Sequence, residues 1–258
     1  MILIHAEYNN NGNFTNIIYQ SIVYLCSLNI NHMPLYFVVD EIQEKYMTIL
    51  FEFYLAVALV KSQVAHLFLH DFSLFFAEIC NLSRLKQKAF ATINLKLIDD
   101  HVYFDVDANN LLNIPEFCLA QTKKLGAKQL SLRILNGNDG LDSPSQIPLF
   151  SRFVVFGGTF DHLHDGHKLL LSIACLFAKK FIAVGITAES MLKSKQYRNL
   201  IESFKERSDK TVRFLQMFRT NIHVDVVELK DPVGPAGKSK EADLLIISEE
   251  TVNGALKG

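Results

Sequence analysis

A strand that ends in two glycines and turns at once into a helix leaves a chain few ways to fold. Here the apolar run Phe153-Val-Val-Phe156 passes directly into Gly157-Gly-Thr-Phe-Asp-His-Leu-His-Asp-Gly-His167. A helical pattern follows over 167–179, with Leu170, Ile173, Ala174 and Phe177 on one stripe and Lys179-Lys180 suiting its C-terminal end. Phe181-Ile-Ala-Val-Gly-Ile186 is then almost continuously apolar, as a strand covered on both faces must be. A second helix fits 200–218, with Val212, Leu215 and Phe218 inward and Glu202, Lys205 and Glu206 outward. Val224–Leu229 and Leu244–Ile247 add two strands. Strand, helix, strand, helix, strand predicts an α/β, Rossmann-like doubly wound parallel sheet in the C-terminal part.

The first 140 residues have a different texture. They are rich in Phe, Leu, Ile and Asn, with apolar runs at 17–28, 35–39, 49–79 and 91–98. The third run has room for one or two helices, whereas 35–39, 91–98 and Lys128–Leu135 read as strands, so this region is expected to have α/β character too. The turn-forming stretch Asn136–Pro148 is the best linker signal, and it divides the chain into residues 1–140, of unknown role, and 141–258.

With 26 basic and 27 acidic residues the net charge is -1, which argues against general nucleic-acid binding. Met47–Val60 is the most hydrophobic segment, yet it is shorter than the roughly 20 residues of a membrane-spanning helix and is interrupted by Glu52. A buried helix is expected there, with no transmembrane segment. The N-terminus has neither the basic flank and clean apolar run of a signal peptide nor the arginines of a transit peptide. A cytoplasmic location is expected, with mitochondrial association left open. The hydrophobic N-terminal region is also a candidate for a homotypic or membrane-surface contact. Cys26, Cys80, Cys118 and Cys175 form no ligand set and are expected to be reduced, mostly buried thiols. Asp99, Asp100, Asp105 and Asp107 match no metal-loop spacing and read as a solvated face.

The chemistry is concentrated in 157–167. This segment lies where a strand ends and a helix begins, at the carboxyl edge of the sheet, where open α/β folds bind ligands. Gly157 and Gly158 let a phosphate approach the backbone, and Thr159 adds a hydroxyl. His164 and His167, three apart, face one ligand from the first helical turn, whose unpaired N–H groups favour anions. Gly166 leaves room for a base or phosphate against the helix start. The string is neither a P-loop nor GxGxxG, and without HExxH or a third ligand no zinc is expected at the histidines.

GGTFDHLHDGH resembles the (T/H)xGH-type signature of the nucleotidyltransferase superfamily. In detail it is most similar to the phosphopantetheine adenylyltransferase domain of eukaryotic bifunctional coenzyme A synthases. Leu141–Pro144, Lys168–Ala174, Met191–Lys195, Glu206-Arg207, Asp231–Gly237 and Ile247–Thr251 look like further segments of that family, in order. The resemblance implies adenylyl transfer from ATP to 4′-phosphopantetheine, giving dephospho-coenzyme A and pyrophosphate in coenzyme A biosynthesis. It casts Thr159 as orienting the acceptor phosphate or an α-oxygen, His167 as a donor to the α-phosphate, and His164 as a donor to the β- and γ-phosphates. Lys193 or Lys195 would bridge the attacking and leaving groups, and both remain candidates. Gly157, Gly158, Phe160 and Gly166 fall in the nucleotide-binding set, as does Arg207, either pairing an acid or approaching phosphate. Ser248, Glu249, Glu250 and Thr251 would surround adenine and ribose, or else cap a following helix. Mg²⁺ is expected to arrive with ATP, held by phosphate oxygens and water.

Relatives of this kind continue past the point matching Gly258 with a Ser-rich, basic motif that grips the triphosphate. The expectation from the sequence is therefore a C-terminally incomplete domain of doubtful catalytic power. Two alternatives stand beside the adenylyltransferase: a nucleotide-binding or scaffold protein with impaired catalysis, and a cytidylyltransferase of the same superfamily.

Overall fold

A computed structural model describes residues 2–7, 18–19, 21–23, 34–40, 45–63, 71–76, 79–80, 82, 85, 91–98, 101–106, 120–121, 151–231, 234 and 241–248. The expected strand at 128–135, the linker at 136–148, Cys26, Cys118, Asp99, Asp100, Asp107, Glu249, Glu250 and Thr251 lie outside them. Cys80 and Cys175 are buried free thiols, and burial pushes the Cys175 thiol up.

Two sheets carry the chain. In the first region β1 (Ile2–Glu7), β2 (Leu35–Asp40), β3 (Phe72–Phe76) and β4 (Ala91–Ile98) run parallel, in the order β3-β2-β1-β4. β5 (His101–Val106) and β6 (Ala120–Gln121) extend the sheet antiparallel beyond β4. The α/β character expected here is present. Helix α1 (Tyr46–Gln63) connects β2 to β3. Among its described residues the apolar run over 49–79 thus holds one helix, as expected, and also a strand, which was not. All five residues of β3 are buried, so it lacks the alternation that distinguishes a strand from a buried helix. Among the described residues no helix is long and apolar enough to cross a membrane.

The second sheet has β7 (Ser151–Gly158), β8 (Ala178–Thr187), β9 (His223–Leu229) and β10 (Leu244–Ile246), all parallel, in the order β10-β7-β8-β9. Helix α2 (Asp165–Phe177) joins β7 to β8, and α3 (Phe204–Phe218) joins β8 to β9. The two helices pack on each other and on β8. The chain moves outward from β7 to β9 and then returns to the far side of β7 as β10. That reversal puts a topological switch point between the carboxyl ends of β7 and β10, the usual ligand crevice of an open α/β sheet. The Rossmann-like architecture expected from the sequence is what the chain adopts.

Helix boundaries differ from the pattern-based ones for local reasons. α2 starts two residues early because the side chain of His164 caps it, and Ala178 opens β8 at once. Lys179 and Lys180 therefore stand in β8 and do not meet the helix C-terminus. α3 starts at Phe204, not at residue 200, because Ser203 and Glu206 form a reciprocal capping box. Arg198–Leu200 is a separate 3-10 turn.

One apolar core runs through both regions. Strand β3 meets α3 through Phe75 against Phe214 and Phe218, with Phe76 edge-on to Phe218 at 6.0 Å. Helix α1 packs on α2. The two helices of the second sheet are therefore covered on their outer side by the first region.

Candidate functional site

The turn from β7 into α2 is held in an unusual backbone shape. Phe160 and His162 have φ values of 53° and 44°, in the left-handed region that bulky side chains avoid. Each such residue costs on the order of 1 kcal/mol or more, so the surroundings must impose the shape. Phe160 is completely buried, with its ring edge-on to Phe156 and tilted against His167 at 5.3 Å. Next to it is a latch to the segment before α3. The amide of Glu202 donates to Asp161 Oδ1 at 2.8 Å, and the amide of His162 donates to Glu202 Oε2 at 3.0 Å. Lys210 pairs with the other Glu202 oxygen. Partial burial works against the Asp161 carboxylate, but the Glu202 amide and the nearby His162 outweigh it and hold the group below its ordinary range.

Arg207 completes the framework from below. It is buried, and its guanidinium donates to three backbone carbonyls: Glu202, Thr159 at 2.7 Å and Thr187 at 3.0 Å. It neither pairs with an acid nor reaches outward; it ties the ends of β7 and β8 to the start of α3. Thr187 adds a hydroxyl bond to the Gly158 carbonyl at 3.1 Å. The glycines also serve packing. A Cβ on Gly157 would meet Leu229 and the Gly185 carbonyl, and one on Gly158 would meet the Phe160 ring at 3.1 Å.

On this framework the polar groups converge. Lys195 Nζ lies 3.2 Å from Thr159 Oγ1, whereas Lys193 is exposed with no such contact to Thr159. His164 and His167 stack with ring centroids 3.7 Å apart. His164 Nδ1 accepts from the His167 amide at 3.4 Å, so in the capped state its ring proton sits on Nε2. Gly166 makes the stack possible, because a Cβ there would meet the His164 ring at 3.2 Å. Burial, with repulsion from His164 whenever that ring is protonated, pushes His167 down to about 4, leaving a neutral imidazole near pH 7. Its Nδ1 is buried without a hydrogen-bond partner. Ile246 lies opposite Phe156, so Ser248 leaves β10 beside the carboxyl end of β7. The structure thus brings Thr159, His164, His167, Lys195 and Ser248 to one sheet edge.

Among the described residues, Asp161, His162 and Glu202 are grouped with potential metal-ligand atoms within 4.8 Å of one another. Their oxygens already accept the amides of the latch and the Lys210 ammonium. They fit a structural role better than a cation site. Sequence reasoning missed this latch because Asp161 and Glu202 are 41 residues apart and neither carries a local signal. It also missed Lys61, whose ammonium pairs with Asp165 in the first turn of α2.

A family model described as cytidylyltransferase-like matches residues 155–257. A phosphopantetheine adenylyltransferase of Saccharomyces cerevisiae is 41% identical over 99 residues, covering 38% of this chain and 32% of that protein. Enzymes of the same name from Pyrococcus furiosus and Methanopyrus kandleri are 34% identical over 103 residues and 35% identical over 106. Those alignments cover 40% and 41% of this chain, and 63% and 66% of the archaeal proteins. The chain thus spans about a third of the yeast relative and just under two thirds of the archaeal ones. Over about 40% of its length, in the part that holds the site, the chain is homologous to nucleotidyltransferases, phosphopantetheine adenylyltransferases among them.

Proposed function

We propose that the chain transfers an adenylyl group from ATP to 4′-phosphopantetheine, forming dephospho-coenzyme A and releasing pyrophosphate. The observation that carries this is the convergence of the Thr159 hydroxyl, the Lys195 ammonium and the stacked histidines at the switch point. The cytidylyltransferase-like family model spans this segment, and relatives named phosphopantetheine adenylyltransferase match about 40% of the chain.

In the proposed reaction an oxygen of the acceptor phosphate attacks the α-phosphorus in line with the departing pyrophosphate, with no covalent enzyme intermediate. Such a transfer needs positioning and charge neutralisation more than proton chemistry. Thr159 and Lys195 share one polar contact and hold the acceptor and α-phosphate oxygens between them. A neutral His167, with Nδ1 enclosed, has Nε2 left to meet the α-phosphate. His164 offers its Nε2 proton further along the triphosphate. The first turn of α2 adds the helix N-terminus, which favours an anion. Mg²⁺ would travel with ATP on phosphate oxygens and water and supply further charge neutralisation. Glu250 and Thr251 belong to the proposed adenine and ribose surroundings.

The test is pyrophosphate release with ATP and 4′-phosphopantetheine. Faster release with glycerol 3-phosphate, choline phosphate or flavin mononucleotide would reject the acceptor. A preference for CTP would favour a cytidylyltransferase, the second reading, which rests on the description of the matching family model.

A further inference from the structure

We propose that Lys61, in the N-terminal region, is a positioning residue of the phosphate site: it pairs with Asp165 and so cancels the acid at the start of α2. This rests on the site binding a nucleoside triphosphate. The problem it solves is visible in the sequence itself. Asp165 stands between His164 and His167 in the first helical turn. An acid there suits the helix dipole, but it opposes a polyphosphate at the same helix end.

Lys61 supplies the missing cation from 104 residues earlier in the chain. Its ammonium lies 2.5 Å from Asp165 Oδ2, with the two side chains only 14% and 26% exposed. It also lies over the Phe72 ring, 5.2 Å from its centroid. The same short stretch seats the next cation. Lys168, one turn into α2, donates to the Phe72 carbonyl at 2.8 Å and pairs with Asp71. Asp71 and Phe72 therefore fix both lysines, one on each side of the interface between the two regions. The first turn of α2 is held by the N-terminal region at its charged end as well as along its apolar side. Residues outside the segment that the family model matches are in this way built into the candidate site.

A charge cycle in the full chain tests the proposal. ATP binding is measured by calorimetry for wild type, Lys61→Met, Asp165→Asn and the double variant, with Lys61→Arg as the conservative replacement. Exposing one negative charge at the helix end proposed to receive the anion should weaken ATP binding about tenfold in K61M. K61R should bind like wild type, and the double variant should return to within about twofold of it because the acid is then gone. Raised salt should narrow the gap between K61M and wild type. A packing role would give a different result, since D165N would not rescue K61M. ATP binding by K61M equal to wild type, or a double variant as weak as K61M, overturns the proposal. A wild-type chain that binds no ATP overturns the nucleotidyl-transfer reading itself and this inference with it. If K61M unfolds, K61R and D165N carry the test: D165N must bind ATP at least as tightly as wild type, and weaker binding overturns the proposal.

Discussion

The two sheets start from the same materials and end differently. Both place parallel apolar strands beside helices, and both send β-strands toward a carboxyl edge. In the first sheet β1 ends in Glu7 and β2 in Asp40, which lie opposite each other in register. In the second, β7 ends in Gly157-Gly158 and turns into a histidine-capped helix. Glycines and a helix N-terminus are what admit a phosphate. Layer architecture alone is therefore silent on function; the few residues at the strand ends decide it. The first sheet has another part, since β3 and α1 cover α3 and α2 and bring Lys61 to the candidate site.

The largest effect expected from breaking this relationship comes at the interface. Asp71→Ala leaves the Lys168 ammonium, only 6% exposed, with the Phe72 carbonyl and no counter-charge. Loss of one partner from a buried pair typically costs 3–5 kcal/mol; with Asp71 itself 40% exposed, about 3 kcal/mol is expected. Lys168→Met removes the charge along with the need for a partner and should cost about half as much or less. Denaturant unfolding of both variants checks the asymmetry. Equal, negligible costs would mean that the first region merely rests on the second.

The next effect is confined to the second sheet. His167→Ala should lower turnover about a hundredfold, the usual loss for one donor to a developing charge, and weaken ATP binding much less. A comparable loss in ATP affinity would make the histidine a ground-state contact.

A third effect, again confined to the second sheet, is a pH dependence of stability. His167 is held down at about 4 in the folded chain and returns to about 6.5 when unfolded. The unfolded state then binds the extra proton first, so this stabilising contribution is complete above pH 6.5 and lost as pH falls toward 4. Thermal midpoints of wild type and His167→Asn should converge over that interval. A constant difference between them would show that the ring is not held neutral.

Much of this was legible beforehand, and the failures have physical causes. β9, at the sheet edge, shows itself by half-buried Val224 and Val226 alternating with exposed His223 and Asp225. β7 and β8 announce themselves instead because a parallel sheet buries both faces, giving apolar runs that end in glycine or polar residues. The same property hid β3: Phe72-Ser-Leu-Phe-Phe76 is wholly buried and follows a helix of similar composition. GGTFDHLHDGH pointed to the sheet edge, and Lys195 stands there with Thr159. Spacing does not reveal that Lys195, and not Lys193, contacts Thr159, since the two are 36 residues from that partner or nearly so. Arg207 looked like a phosphate candidate by type, yet three carbonyls claim its donors. Lys61 and Glu202 were illegible because their partners lie 104 and 41 residues away.

The proposed adenylyl transfer at the β7–α2 turn can be followed through the α-phosphorus. The full chain is incubated with α-³²P-labelled ATP, Mg²⁺ and 4′-phosphopantetheine, and the products are separated. Label is expected in dephospho-coenzyme A, formed at least about a hundredfold faster by wild type than by His167→Ala. Label that stays in ATP, or passes to another phosphate acceptor in preference to 4′-phosphopantetheine, would contradict it.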